Sequence, residues 1–259
     1  MNKEYIIILP VYNSFDNLYS IINEIKNINI NTKKIIIIDN NSSIPINTKL
    51  EILKNNKEKN KIHIDLIINK KNYGIGGSQK IILNFLKNEK FDYIINLQTS
   101  GRFSVREVLK SIKNENLNRY DYLIFSRFLN KDSAKNYNFI RRIGNLFFSF
   151  ITRLFTDCNV SDPGCAINVI NYKLYERIID DGKIFNLTNN SHFPHLFNIV
   201  IFEKQLLYKE LSMNWGEGNI KSHLNTLPYV IKLSYYLFRY LVFKKFADIQ
   251  KINFDFTKF

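Results

Sequence analysis

The stretch Tyr5-Ile6-Ile7-Ile8-Leu9-Pro10-Val11-Tyr12-Asn13 decides how the rest of the chain is read. Its apolar run offers no polar face, so a strand here must be covered on both sides. Pro10 cannot donate to a ladder and is expected to stop the strand at Leu9. Asp16–Ile28 then carries Leu18, Ile21, Ile22 and Ile25 at helical spacing, with Ser14 or Asp16 able to cap it. A buried strand, a polar turn and an amphipathic helix form the opening half of a βαβ unit.

The same alternation continues outward. Lys34–Ile38, Ile62–Ile68, Tyr93–Leu97 and Tyr122–Phe125 read as further buried strands, and Gly76–Leu86 and Ser104–Ile112 as helices. Continuous β-branched strands separated by helices predict an α/β fold with a mostly parallel central sheet, in one domain. The second half changes character. Phe139–Phe155 puts Phe139, Ile143, Leu146, Phe147, Phe150, Ile151 and Leu154 on one stripe, with Arg141, Arg142 and Arg153 off it. Leu227–Phe243 is aromatic-rich, interrupted by Lys232 and Arg239 and closed by Lys244-Lys245. Both suit either a core helix or a helix lying at a membrane interface.

The 259 residues hold 37 Lys plus Arg against 23 Asp plus Glu, a net charge of +14. A hydrophobic content of 45% excludes a disordered chain. Two cysteines, Cys158 and Cys165, cannot build a disulfide framework. No apolar run approaches the roughly 20 residues of a spanning helix, and the start runs into strand without a cleavage site. The expectation is a cytoplasmic protein, soluble or peripheral at the inner face of the membrane. The basic excess allows nucleic acid, anionic lipid or phosphorylated substrates. Nucleic acid is set aside, because no helix-turn-helix, RNP or zinc pattern occurs and the aromatics lie on apolar stripes.

In an open α/β sheet, ligands bind beyond the carboxyl ends of the strands. Those ends are Pro10-Val11-Tyr12-Asn13, Asp39-Asn40-Asn41-Ser42-Ser43, Asn72-Tyr73-Gly74-Ile75-Gly76-Gly77, Gln98-Thr99-Ser100-Gly101-Arg102 and Ser126-Arg127, all polar enough to share one crevice. The Asp39 carboxylate suits a ribose or a base N–H, or equally a turn cap. Gly74–Gly77 lacks the spacing of a dinucleotide fingerprint and of a Walker loop, and signals close backbone approach.

Leu9-Pro10-Val11-Tyr12-Asn13, Ile38-Asp39-Asn40-Asn41-Ser42-Ser43 and Asn72-Tyr73-Gly74-Ile75-Gly76, in that order, resemble family 2 glycosyltransferases of the GT-A fold. Phe125-Ser126-Arg127, Arg141-Arg142-Ile143-Gly144-Asn145 and Val160-Ser161-Asp162-Pro163-Gly164-Cys165-Ala166 are similar to their polyprenyl-phosphate branch, the dolichol-phosphate sugar synthases. Lys209-Glu210-Leu211-Ser212 and Gly218-Asn219-Ile220-Lys221-Ser222 echo that branch's late strand and turn. The resemblance implies a GT-A domain over 1–225 and an amphipathic, membrane-associating segment of the same domain over 226–259. It further implies an inverting transferase that moves a sugar from a nucleotide donor to a polyprenyl phosphate or other membrane-linked glycan. Pro10, Val11, Tyr12, Asn13, Asp39, Asn72, Gly76, Gln98, Thr99 and Ser100 would hold the nucleotide. Arg102, Arg127, Arg141, Arg142 and Asn145 would receive the diphosphate and the acceptor phosphate. Asp162 and Arg127 would be catalytic, and His192 and Trp215 would lie on the acceptor side. Guanidinium forks match phosphate oxygens, and an acceptor phosphate is already an anionic nucleophile.

One departure matters. Where the family carries a metal-binding Asp-x-Asp after the strand Tyr93–Leu97, this chain has Gln98-Thr99-Ser100. A divalent Mg²⁺ or Mn²⁺ wants charged oxygen ligands, so a metal is disfavoured. Either Arg102, with Lys71 or Lys80, neutralises the leaving diphosphate, or the leaving group differs. The remaining alternative is a catalytically inactive relative that binds a nucleotide or lipid phosphate. His192 and His195 could form a metal site with Glu203 or Glu217, although a loop-to-helix role under the acceptor site is the simpler reading. Trp215 could stack on a sugar face.

Overall fold

The computed structural model describes residues 3–28, 30–45, 47–51, 62–130, 132–134, 137–216, 226–244 and 255–259. Gly218–Ser222, Glu217 and Lys245, singled out above, lie outside the described residues.

The following strands and α-helices organise the described chain. They are β1 (Tyr5–Val11), α1 (Leu18–Asn27), β2 (Thr32–Asp39), β3 (His63–Asn69), α2 (Gly74–Phe85), β4 (Tyr93–Asn96), α3 (Val105–Lys113), β5 (Tyr122–Ser126), α4 (Phe139–Phe155), β6 (Asn168–Asn171), α5 (Tyr172–Asp181), α6 (Phe193–Phe202), β7 (Tyr208–Ser212), α7 (Thr226–Phe243) and β8 (Phe256–Lys258). The strands form one sheet in the order β7-β5-β6-β4-β1-β2-β3-β8. Pairs β1/β2, β1/β4, β2/β3 and β5/β7 are parallel, whereas β6 runs antiparallel to β4 and β5, and β8 antiparallel to β3. The chain thus winds outward from β1 in both directions, which opens a crevice at the carboxyl ends of β1 and β4. Ile6–Leu9, Ile35–Ile38 and Ile94–Ile95 are buried on both faces of the sheet, as their unbroken apolar runs require.

Three expectations are corrected by this architecture. Pro10 does not stop β1, because pairing with β2 continues through Val11–Asp39. Pairing with β4 ends at Ile8–Asn96, so beyond it Pro10 borders a free side of the strand. Its carbonyl accepts from Thr99 Oγ1 at 2.8 Å. Helix α1 begins at Leu18 after a 3-10 turn, and neither Ser14 nor Asp16 caps it. Finally, 226–259 is not one amphipathic segment. Its last residues form β8, where Phe256 packs edge-on against Phe85 and Lys258 pairs with buried Asp65.

Helix α4 buries only Phe148, Ser149 and Thr152 against the fold. Its apolar stripe, from Phe139 at 72% exposure to Leu154 at 59%, faces outward. The core reading therefore fails for that stripe. Helix α7 buries Leu233, Tyr236, Leu237 and Tyr240, and leaves Leu227, Ile231, Phe238 and Phe243 exposed. Among the described residues, no helix is long and apolar enough to cross a membrane.

Candidate active site

The strand ends close around a cavity of about 170 Å³ lined by Gln98, Ser100, Arg102, Arg127, Gly164, Cys165, Ala166 and Trp215. Each wall is set by local structure. Gln98 and Ser100 follow β4, while Thr99 between them turns inward, bonding Pro10 O and Ser14 Oγ at 2.8 Å each. This stitch ties the β4 end to the β1 turn and explains why Thr99 is buried. Arg127 follows β5. Trp215 arrives from β7 on a strap held by Trp215 N–H to Ser133 O and Gly216 N–H to Arg102 O, 2.8 Å each.

Arg127 is fixed by Asp162. Nε donates to Oδ2 at 2.6 Å, Nη2 donates to Oδ1 at 2.7 Å, and the Arg127 backbone N–H donates to Oδ2 at 3.1 Å. Burial by itself would lower the Arg127 pKa, but the Asp162 carboxylate outweighs it and holds the group above its ordinary value. Tyr137 OH lies 3.5 Å from Nη1 and accepts from Asn145 Nδ2 at 2.9 Å. Of five guanidinium N–H donors, two are given to Asp162 and one is directed at Tyr137, which leaves two for a ligand. Both Asp162 oxygens are used, and the residue is 1% exposed. That geometry makes Asp162 a positioning residue and gives it no free oxygen to act as a base.

Gly164 borders this pair with room for a side chain's first carbon. A Cβ there would lie 3.6 Å from Arg127 Nη2 and 4.0 Å from Asn145 Oδ1. Arg141 and Arg142 stand instead on the first turn of α4, away from the cavity lining, with Asn138 capping that turn through Arg141 N–H. The Cys165 thiol is pushed up to about 12 by burial, so it is a neutral wall and no nucleophile.

The nucleotide-side residues divide. Tyr12 is half exposed and Asn13 adopts a left-handed turn at φ 50°. The Asn13 amide oxygen accepts from Ser43 N–H at 3.0 Å, which joins the β1 and β2 loops. Asn72 Oδ1 accepts from Asn40 Nδ2 at 2.7 Å and from Gly74 N–H at 2.8 Å. Asp39 differs from the ribose-binding expectation. It is fully buried, with Oδ1 accepting from Ser42 N–H and Oγ, and Oδ2 paired to buried Lys49 at 2.7 Å. Its carboxylate builds the loop, and Val11, its ladder partner on β1, is also buried.

Gly76 is likewise turned to internal use. Its N–H donates to Asn189 O at 2.8 Å, and an added Cβ would meet Thr188 O at 2.6 Å and Phe193 Cβ at 2.7 Å. The close backbone approach expected of Gly74–Gly77 is real, but the partner is the 188–190 loop. Lys80 is buried and donates to Leu187 O and to Asn189 Oδ1, so it is removed from any leaving group. Burial lowers its pKa to about 8.

The two histidines serve different contacts. His192 lies 2.6 Å from Asn190 Oδ1 and 2.9 Å from Tyr229 O, and stacks on the Tyr229 ring at 4.2 Å. His195 Nε2 lies 2.7 Å from Thr152 Oγ1. They dock α7 and α4 respectively, and neither lines the cavity. Among the described residues no group of three or more His, Cys, Asp or Glu could hold a metal. Gln98 and Ser100 offer only neutral oxygens, so the donor set at β4 does not fit a divalent cation. Residues whose contacts sequence alone did not single out are Lys49, Phe103, Tyr137 and, quoted above only as part of a strand, Glu210. Glu210 accepts from Ser161 N–H at 2.6 Å under the 160–166 loop. Their partners range from 7 positions away, for Lys49 and Ser42, to 112, for Phe103 and Trp215, and no local pattern marks them.

The sheet order and the crevice at the strand ends are those of the GT-A fold. The sequence model described as Glycosyl transferase family 2 matches residues 6–179, and the chain belongs to that family. An uncharacterized protein of Methanocaldococcus jannaschii, MJ1222, is 28% identical over 154 residues, 58% of this chain and 63% of that protein. The match thus spans under two thirds of the curated relative's length. Glucosyl-3-phosphoglycerate synthase from Mycobacterium tuberculosis, solved with uridine diphosphate, shares the fold at a TM-score of 0.55 and 9% identity, over 98% of this chain and 89% of that one. S. aureus TarS 1–349 does so at a TM-score of 0.53 and 12% identity, over 93% and 73%.

Proposed function

We propose that the protein is an inverting glycosyltransferase that moves a sugar from a nucleotide-activated donor to an anionic, membrane-linked acceptor such as a polyprenyl phosphate, without a metal. The cavity lining carries the reading: Arg102 and Arg127 with Gln98 and Ser100, and no carboxylate oxygen left free by the described residues. A hydroxyl acceptor needs a base to take its proton, whereas a phosphate acceptor arrives ionised. The two arginines neutralise charge on the leaving diphosphate and position the acceptor oxygen, so charge stabilisation and orientation are the catalytic terms. The cavity, about 170 Å³, has room for a group of diphosphate size and not for a whole nucleotide sugar. The nucleoside then lies over Tyr12, Asn13 and Asn72, outside the enclosed part. Val11, Asp39, Gly76 and Thr99 support that surface from beneath.

The acceptor side is a membrane surface. The outward apolar stripes of α4 and α7 are flanked by Arg141, Arg142, Arg153, Lys232, Arg239 and Lys244. Apolar insertion flanked by cations is the pattern of a helix lying on anionic lipid. His192 joins this surface to the core through α7. The reaction is tested by incubating the protein with a panel of nucleotide sugars and polyprenyl phosphate, and following released nucleotide and glycosylated lipid. Nucleotide binding without transfer or hydrolysis across the panel would favour a non-catalytic binding protein instead.

A further inference from the structure

Trp215 is 8% exposed and its ring is engaged on the protein side. The Phe103 ring stacks at 6.1 Å and 8°, and the Arg127 guanidinium carbon lies 5.4 Å from the indole centroid. The indole also lines the cavity. Its Nε1–H has no hydrogen-bond partner among the described residues, and neither does the buried Ser100 Oγ on the same cavity. Buried N–H and O–H groups in folded proteins are almost always paired. Two unpaired donors on one cavity are groups that a ligand entering it can pair. The indole N–H and the arginine N–H groups can only donate, so the ligand must be rich in acceptor oxygens.

We propose that Trp215 Nε1 and Ser100 Oγ donate hydrogen bonds to the oxygens of the donor's diphosphate, beside the charges of Arg102 and Arg127. The inference rests on the diphosphate reading above and assigns two residues to it. Ser100 occupies the place of a metal-ligating carboxylate and contributes a hydroxyl. Trp215 contributes a neutral N–H, held by the strap from β7. Neutral donors supply orientation where the arginines supply charge.

Trp215 is the only tryptophan in the chain, so emission excited selectively over the 15 tyrosines reports on this cavity. The full-length protein is titrated with inorganic pyrophosphate and with nucleoside diphosphates in EDTA, by fluorescence and by calorimetry. The expected result is a saturable change in emission with both ligands. Trp215→Phe keeps the stacked ring and removes the N–H. It should weaken pyrophosphate about fivefold to tenfold, and Ser100→Ala by a similar factor, as loss of one hydrogen bond each implies. Wild-type fluorescence needs no variant and so stands if either substitution unfolds the protein. Pyrophosphate binding by calorimetry with no emission change, and with unaltered affinity in both variants, overturns the assignment and leaves the diphosphate reading in place. Failure of every diphosphate to bind overturns both.

Discussion

Arg127 and Asp162 meet in two side-by-side hydrogen bonds, 2.6 Å from Nε and 2.7 Å from Nη2, with the carboxylate 1% exposed. The pair sets the guanidinium plane against the cavity. Removing one partner leaves a buried charge uncompensated, a loss on the order of 3–5 kcal/mol. Asp162→Asn should lower stability by about that amount and transferase activity by at least about 100-fold. Arg127→Met with Asp162→Leu should be less destabilised than the sum of the single changes. Urea unfolding of the four proteins checks this; strict additivity would mean the two do not act as a pair.

Gly76 separates an internal role from a ligand role. Because an added Cβ meets Thr188 O at 2.6 Å, Gly76→Ala should cost about 1–3 kcal/mol through displacement of the 188–190 loop. Nucleotide affinity of the folded fraction should change by less than about threefold. An unchanged melting temperature with strongly weakened binding would return Gly76 to the ligand.

His195 gives the fold an acid limit. Burial lowers its pKa to about 4 from an ordinary 6.5. Between those values the unfolded chain binds the proton and the native state does not, so stability is lost as pH falls below 6.5. The contribution is about 2 kcal/mol between pH 7 and pH 5. His195→Gln should flatten that part of the stability profile in chemical denaturation at pH 5, 6 and 7. A slope identical to wild type would show that His195 is not the titrating group.

The lipid-facing surface is testable without altering the core. Phe147→Glu with Phe238→Glu changes two exposed side chains, so melting should shift little. Co-sedimentation with vesicles containing anionic lipid should fall several-fold, and high salt should weaken wild-type binding. Truncating 227–259 is the wrong test, since it also removes β8 from the sheet edge.

Much of the architecture was legible because isoleucine runs have one good solution, a strand covered on both faces. Strands β6 and β8 escaped notice because Asn168–Asn171 and Phe256–Lys258 are too short to carry a period. Gln98, Ser100, Arg102 and Arg127 lie at strand ends that the topology turns toward one cavity, whereas Trp215, expected on the acceptor side, reaches the same cavity from beyond β7. What the chain did not announce was which polar groups are used up internally. Asp39 ends a strand as a ribose ligand would, yet Lys49 takes its charge. Gly76 and Lys80 look like phosphate binders until the 187–190 loop, over 100 positions later, occupies them. The α4 stripe fits a core helix equally well until its outward face is seen.

The central claim is glycosyl transfer to an ionised acceptor with arginines in place of a metal. Its most direct measurement is nucleotide release from the productive nucleotide sugar with polyprenyl phosphate, with and without excess EDTA, and with Arg102→Ala alongside. The account predicts turnover within about twofold of the untreated rate under chelation, and loss of at least about 100-fold in Arg102→Ala. Turnover abolished by EDTA and restored by Mg²⁺ or Mn²⁺ would contradict it.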